Sequence, residues 1–212
     1  MALRGWLAGA ALVALVVAGS AWAADGEPVR DYRSMPAGTY RLDPNHAMLI
    51  WKVSHMGFMD YTARFNRFDA RFTYDPRRPM ASKVDVVVDT ASADTGNKVL
   101  DNELDGPKFF NVKKFPMATF KSTELMDHGD GTGMLTGNLT LLGVTRPVTL
   151  DFVYHGHGKN PLNGKPTTGF SAVGRIKRSD FGMNFGIPMV GDEVALEIEV
   201  EFEQAVVAKP GY

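Results

Sequence analysis

His155-Gly-His157 is the sharpest chemical spacing in the chain. On a β-strand, residues two apart share a face, and two imidazoles so placed could chelate zinc or copper. Phe152 and Tyr154 take the opposite face, so the pair shares its side with Asp151 and points outward. No fixed third ligand is evident. His55 is different. It extends the series Leu49, Trp51, Val53 and stands just before Gly57, at the rim of whatever that strand encloses, where it could meet a polar head group. His46 falls on the other face, and His128 lies in a turn. The acids Glu197, Glu199, Glu201 and Glu203 form a ladder whose opposite face is Leu196, Ile198, Val200 and Phe202, so the ladder faces water. A catalytic carboxylate needs a cleft and a perturbed environment, and that face offers neither. No G-x-S-x-G, P-loop or H-E-x-x-H occurs. The expectation is a non-enzymatic protein with no obligatory cofactor. A metal protein or enzyme using His155 and His157 is the alternative.

The segments that carry these residues alternate with a period of two, which is the period of strands and not of helices. Val194 to Glu203, reading VALEIEVEFE, is the clearest example. Tyr61 to Tyr74 is a long strand with a defect. Phe65 and Phe68 are three apart, while Phe68, Ala70, Phe72 and Tyr74 keep step. A one-residue bulge near Asn66-Arg67 returns both phenylalanines to one face. Lys83 to Asp89, Met117 to Leu125, Met134 to Leu142, Pro147 to Gly156 and Thr168 to Lys177 supply further strands. Gly-, Asn- and Pro-rich turns separate them. The one helical candidate is Asn97 to Leu104, which runs on towards Phe110. About eight antiparallel strands joined mostly by hairpins suit a closed up-and-down barrel, which also removes the edge-strand problem. A sandwich is the competing architecture.

Met1 to Ala23 reads as a signal peptide. It has an early Arg4, an apolar run too short to span a bilayer comfortably, and the small-x-small ending Ala21-Trp22-Ala23. Residues 24–37 are polar with two prolines and read as a flexible arm. Residues 38–205 form the barrel domain, and 206–212 a tail. There is no cysteine, which excludes a lipobox, disulfides and Cys-ligated zinc. The formal net charge is −1, and loss of Arg4 with the leader leaves it one unit more negative. Lys108, Lys113, Lys114 and Lys121 make a local basic patch that reads as solvated surface. No long basic stripe appears, so nucleic acid is not an expected partner. The expected compartment is the periplasm, with no integral membrane span.

The inward face is almost all hydrocarbon. Leu49, Trp51 and Val53 lead to His55. Phe65, Phe68 and Phe72 follow, then Val84, Val86 and Val88, then Phe120, Leu135, Leu139 and Leu141. Val148, Leu150 and Phe152, Phe170 and Ile176, and Leu196, Ile198, Val200 and Phe202 complete it. Ala70, Gly137, Ala172 and Gly174 are interleaved, and small residues in strands often leave room for something to approach. Eight strands is the size at which side chains just fill the bore or leave a slot for one ligand. A hollow would suit an apolar chain, each buried methylene being worth about 0.8 kcal/mol. A filled barrel would make the chain a plain interaction module showing its glutamate face to a partner.

Five ordered stretches resemble the YceI-like family of periplasmic polyisoprenoid-binding proteins. They are Asn45-His46-Ala47 through His55-Met-Gly57, Phe65-Asn-Arg-Phe68, Phe109-Phe110 through Phe120-Lys-Ser122, Gly137 through Pro147-Val, and Arg178-Ser-Asp180-Phe181-Gly182 followed by Val190-Gly-Asp192-Glu193-Val194. They span about Gly38 to Gln204. In the first, Ala47 replaces the usual serine and Trp51 the usual phenylalanine. In the helical region the family's Arg-Asp-x-His-Leu run becomes Leu100-Asp-Asn-Glu-Leu104, without the arginine and the histidine. The resemblance implies an extended, lipocalin-like barrel with one short helix and loop segment around 97–112. It implies a ligand such as a polyprenyl quinone, a polyprenyl phosphate or a similar amphiphile. It adds Phe109 and Phe110, on the segment covering one side, and Phe181 of the last stretch to the candidate lining. A homodimer is plausible for such a barrel.

Overall fold

The computed structural model describes residues 27–205; the expected leader and C-terminal tail lie outside them. The described chain is built from β1 (Gly38–His55), β2 (Met59–Phe65), β3 (Phe68–Tyr74), β4 (Lys83–Asp89), β5 (Ala93–Asp94), α1 (Lys98–Leu104), β6 (Met117–Asp127), β7 (Thr132–Leu141), β8 (Val144–Lys159), β9 (Pro166–Lys177) and β10 (Val190–Gln204). The sheet order is β10-β9-β8-β7-β6-β4-β3-β1-β2-β5, and β10 also pairs with β1, which closes the ring. Every pairing is antiparallel.

Ten labels describe eight staves, because two staves are interrupted. β2 and β3 flank the break at Asn66-Arg67, where the alternation predicts a bulge. β1 spans both, pairing Leu49 with Phe65 and Tyr40 with Phe72. β4 and β5 flank a short 3-10 turn, Thr90–Ser92. The two breaks are stitched together: Arg67 N donates to Ser92 Oγ at 3.0 Å and Asn66 N to Ser92 O at 2.9 Å. The β7–β8 hairpin is tighter than the gap expected between Leu142 and Pro147. It turns on Leu142 and Gly143, both at positive φ (52° and 76°), the two-residue geometry that follows strand twist.

Residues 27–37 do not form the expected loose arm. Val29 bridges to His157, with N–O distances of 2.7 and 3.0 Å in the two directions. Tyr32 donates to Asp127, and Met35 is 2% exposed among Tyr40, Phe72 and Tyr154. The polar composition of the segment hid two large anchors, Tyr32 and Met35, that fasten it over the barrel end where β1 starts. The far end, where β1 finishes, is covered by α1 and by the loops 105–116 and 182–189. Asn97 caps α1 by accepting from Val99 N.

Candidate ligand-binding cavity

Large side chains on a small barrel meet across the axis unless something draws them back to the wall. Here glycines do so. A Cβ on Gly137 would lie 2.3 Å from the Phe120 ring, and one on Gly174 would lie 2.5 Å from Leu150 Cδ2. Phe120 and Leu150 therefore recline on glycines of the neighbouring strands. The expectation that these glycines leave room is met indirectly, since the space goes to neighbours that lie flat and widen the bore. What remains is a cavity of about 700 Å³, inside the ~300–1,000 Å³ typical of small-molecule sites.

Leu49, Trp51, Val53, His55, Phe65, Phe68, Phe72, Val86, Val88, Phe109, Phe110, Phe120, Leu139, Leu141, Phe170 and Ile198 all line this cavity. Phe181 does not. It is 2% exposed and packs within the core around the cavity, because it sits on the 3-10 turn Arg178–Phe181 and not on a strand. Tyr61, Leu100, Glu103 and Leu104 line the cavity as well. Tyr61 continues the Phe65 face of β2 in steps of two and was legible in principle. Leu100 and Glu103 of α1 stand in the run where the resemblance leads one to look for arginine and histidine.

Polar groups at the cavity's edges divide into spent and unspent. Arg178 Nε donates to Gly191 O at 2.8 Å. Its Nη1 donates to Met183 O at 3.0 Å and Phe185 O at 2.8 Å, and its Nη2 to Val190 O at 2.9 Å. Arg178 is 4% exposed, and desolvation holds its pKa below the usual arginine range. Ser179 donates through N and Oγ to Asp192. The Arg178-Ser-Asp-Phe-Gly182 stretch is thus a clamp on the 182–190 loop, with Gly182 at φ 85° closing its turn. At the arm end Tyr74 Oη donates to Tyr32 O at 2.6 Å, and burial pushes the Tyr40 and Tyr74 phenols up to about 12. Trp51 Nε1 is the one buried side-chain polar atom without a partner among the described residues.

The His155/His157 pair does not share a face. A bulge between Tyr154 and Gly156 in the β8–β9 pairing shifts the register by one, and a one-residue slip turns every later side chain over. His155 stays outside, with Nε2 against Ser171 Oγ. His157 pairs opposite the fully buried Thr168 and lies 2.6 Å, through Nδ1, from the Tyr154 hydroxyl. Burial holds its pKa below the usual histidine value. Two histidines on opposite faces cannot chelate one ion. On the outer wall Asp43, His46 and Glu201 come within 4.8 Å of one another. There Asp43 is already occupied, by His46 Nδ1 at 2.8 Å and Asn45 N at 2.9 Å.

Residues 40–202 match the YceI-like domain. The chain belongs to the YceI-like family. Protein YceI of Salmonella arizonae is 41% identical over 170 residues, covering 79% of this chain and 88% of that protein. The crystal structure of Burkholderia cenocepacia BcnA superposes with TM-score 0.68 at 26% identity, covering 76% of this chain and 98% of BcnA. A polyisoprenoid binding domain from Saccharophagus degradans, implicated in plant cell wall breakdown, shares the fold at TM-score 0.59 and 15% identity, covering 80% of this chain and all of that domain. This YceI-like barrel therefore has the architecture expected from its alternation, eight staves around an apolar hollow. No helix among the described residues is long and apolar enough to cross a membrane.

Proposed function

We propose that the protein is a non-enzymatic carrier that holds a long-chain isoprenoid lipid, or a similar amphiphile, inside the barrel. The observation that carries this reading is the wall itself: valines, leucines and phenylalanines around about 700 Å³. An apolar chain gains about 0.8 kcal/mol for each methylene taken from water into such a space, whereas a polar guest would lose hydrogen bonds to water and find few replacements. The polyisoprenoid binding domain of Saccharophagus, built on the same fold, favours the same ligand class. Walls replace water around the tail while the head stays near His55, Tyr61 and Glu103 at the end covered by α1.

Of the two head groups in view, the lining favours an uncharged one such as a quinone over a phosphate. Arg178, the lining arginine, is spent on backbone carbonyls, and Glu103 would oppose an anion at that end. The leader-like residues 1–23 and the lack of cysteine fit export and a carrier in the periplasm.

Organic extraction of the purified protein followed by mass spectrometry tests the reading. An isoprenoid near one equivalent is the expected result, and Phe65→Asp, which puts a charge on the wall, abolishes it. Full retention in that variant refutes the wall's role. Extracts empty of lipid, with no uptake of added polyprenyl quinone, refute the function.

A further inference from the structure

Three loops frame the cavity end covered by α1: the β1–β2 hairpin at 55–59, the segment 106–116 and the loop 182–189. The first and third are tied, since Met56 N donates to Met189 O at 2.6 Å. The second and third are tied through Phe109 and Phe185, whose ring centres lie 5.5 Å apart. Lys108 Nζ sits 4.3 Å from the centre of the Phe185 ring. The three therefore form one continuous rim.

That rim is unusually greasy for a surface. Phe58 is 87% exposed, Met189 61%, Met59 54%, Met56 53% and Phe185 44%. Within 55–59 and 182–189 there is no Lys, Arg, Asp or Glu. The segment 106–116 carries Lys108, Lys113 and Lys114 and no acidic residue, and these lysines make no ion pair among the described residues. The acids Asp60, Glu103, Asp105 and Asp180 stand on the stems beside the rim, outside the three segments that form it. Met59 and Phe185 belong both to the rim and to the cavity lining, so carbon runs unbroken from the exterior into the bore.

We propose that this rim docks on an anionic lipid bilayer. Clustered exposed apolar residues mark sites of protein or membrane contact, and an apolar face beside lysines suits the interfacial region of a membrane bearing negative head groups. Phe58, Met56 and Met189 enter the interface, and Lys108, Lys113 and Lys114 meet the head groups. A lipid tail then passes between bilayer and bore along Met59 and Phe185 without crossing water. The inference adds a route to the proposed carrier function, but the docking itself needs no ligand in the cavity.

The chain has no cysteine, so a single cysteine carries an environment-sensitive fluorophore to one place only. Mature protein without residues 1–23 is labelled at Phe58→Cys, at Met189→Cys, or at Leu162→Cys. Leu162 is 90% exposed on the turn between β8 and β9, at the other end of the barrel. Each is mixed with vesicles of phosphatidylcholine plus phosphatidylglycerol, and of phosphatidylcholine alone. The expected result is a blue shift and roughly a twofold rise in emission at 58 and 189 with the mixed vesicles. The response is smaller with phosphatidylcholine, and none occurs at 162. Lys108→Gln with Lys113→Gln and Lys114→Gln removes the preference for the mixed vesicles. No shift at 58 and 189, or an equal shift at 162, overturns the proposal. So does a shift without vesicles that grows with protein concentration, which assigns the rim to a second copy. A shift at 58 and 189 from protein that retains no lipid leaves docking standing while the carrier reading falls.

Discussion

At the scale of single residues, the polar groups nearest the bore mostly do structural work. Arg178 donates four hydrogen bonds to carbonyls, two on the loop 182–189 at Met183 and Phe185 and two at the start of β10 at Val190 and Gly191. His46 and Asp43 do similar work on the outer wall, where β1 kinks between Leu42 and Ala47. Their hydrogen bond is the largest cause of raising His46 above 6.5 and of lowering Asp43 below 3.8. A raised histidine contributes stability that is complete below 6.5 and is lost as pH climbs through its folded value. A lowered aspartate contributes stability present above 3.8 and lost as pH falls through its folded value. The pair thus acts fully between about pH 3.8 and 6.5. His46→Gln should lower Tm most within that window. The deficit should shrink as pH rises through the folded value of the ring, which lies above 6.5. Thermal scans across pH check this, and a deficit independent of pH would mean that the ring matters only as a neutral donor.

At the scale of elements, alternation was a good guide to which face of each strand looks inward, and the mismatch of Phe65 with Phe68 was enough to locate the break between β2 and β3. What stayed hidden were register events without a hydrophobic marker. The bulge at Tyr154 to Gly156 lies in a run of Tyr, His and Gly, where no apolar pair reports the slip, so His157 reads outward and sits inward. Phe181 looks like any lining phenylalanine until the backbone turns under it. The docking of residues 27–37 depends on two side chains whose partners, apart from the nearby Tyr40, are Asp127, Phe72 and Tyr154, far away in sequence. The glycines were legible as small but not as beds for neighbouring side chains. That role predicts a consequence. Gly174→Ala places a methyl against the flexible end of Leu150, with Thr149 O the next contact at 3.2 Å. Leu150 should swing off the wall into the bore. Stability should fall by only about 1 kcal/mol, typical of modest overpacking, while retention of the longest isoprenoids drops and shorter ones persist. Competition between prenyl chains of graded length reads the change. An unaltered length profile would show that Leu150 repacks elsewhere.

At the scale of the whole molecule, the barrel is held by a continuous hydrogen-bonded ring and by two apolar clusters, yet its side chains do not fill its axis. A cavity of about 700 Å³ is far larger than the voids a close-packed interior tolerates, and its lining forgoes the dispersion contacts that a filled core would make. The backbone bonds of the ring do not run through the bore, so the barrel is expected to stand without a guest. The guest should nonetheless stabilise strongly, since a ligand that binds only the folded form adds about 2.7 kcal/mol at a hundredfold excess over Kd. Stripping the lipid should therefore lower Tm while leaving the far-ultraviolet circular dichroism of the barrel unchanged, and added polyprenyl quinone should restore Tm in proportion to the logarithm of its free concentration. The spectrum and the Tm must be read together. Loss of the β-spectrum on stripping would mean that the tail is part of the core and the barrel cannot exist empty. An unchanged Tm, with lipid demonstrably removed, would mean that the hollow binds nothing tightly enough to matter to its stability.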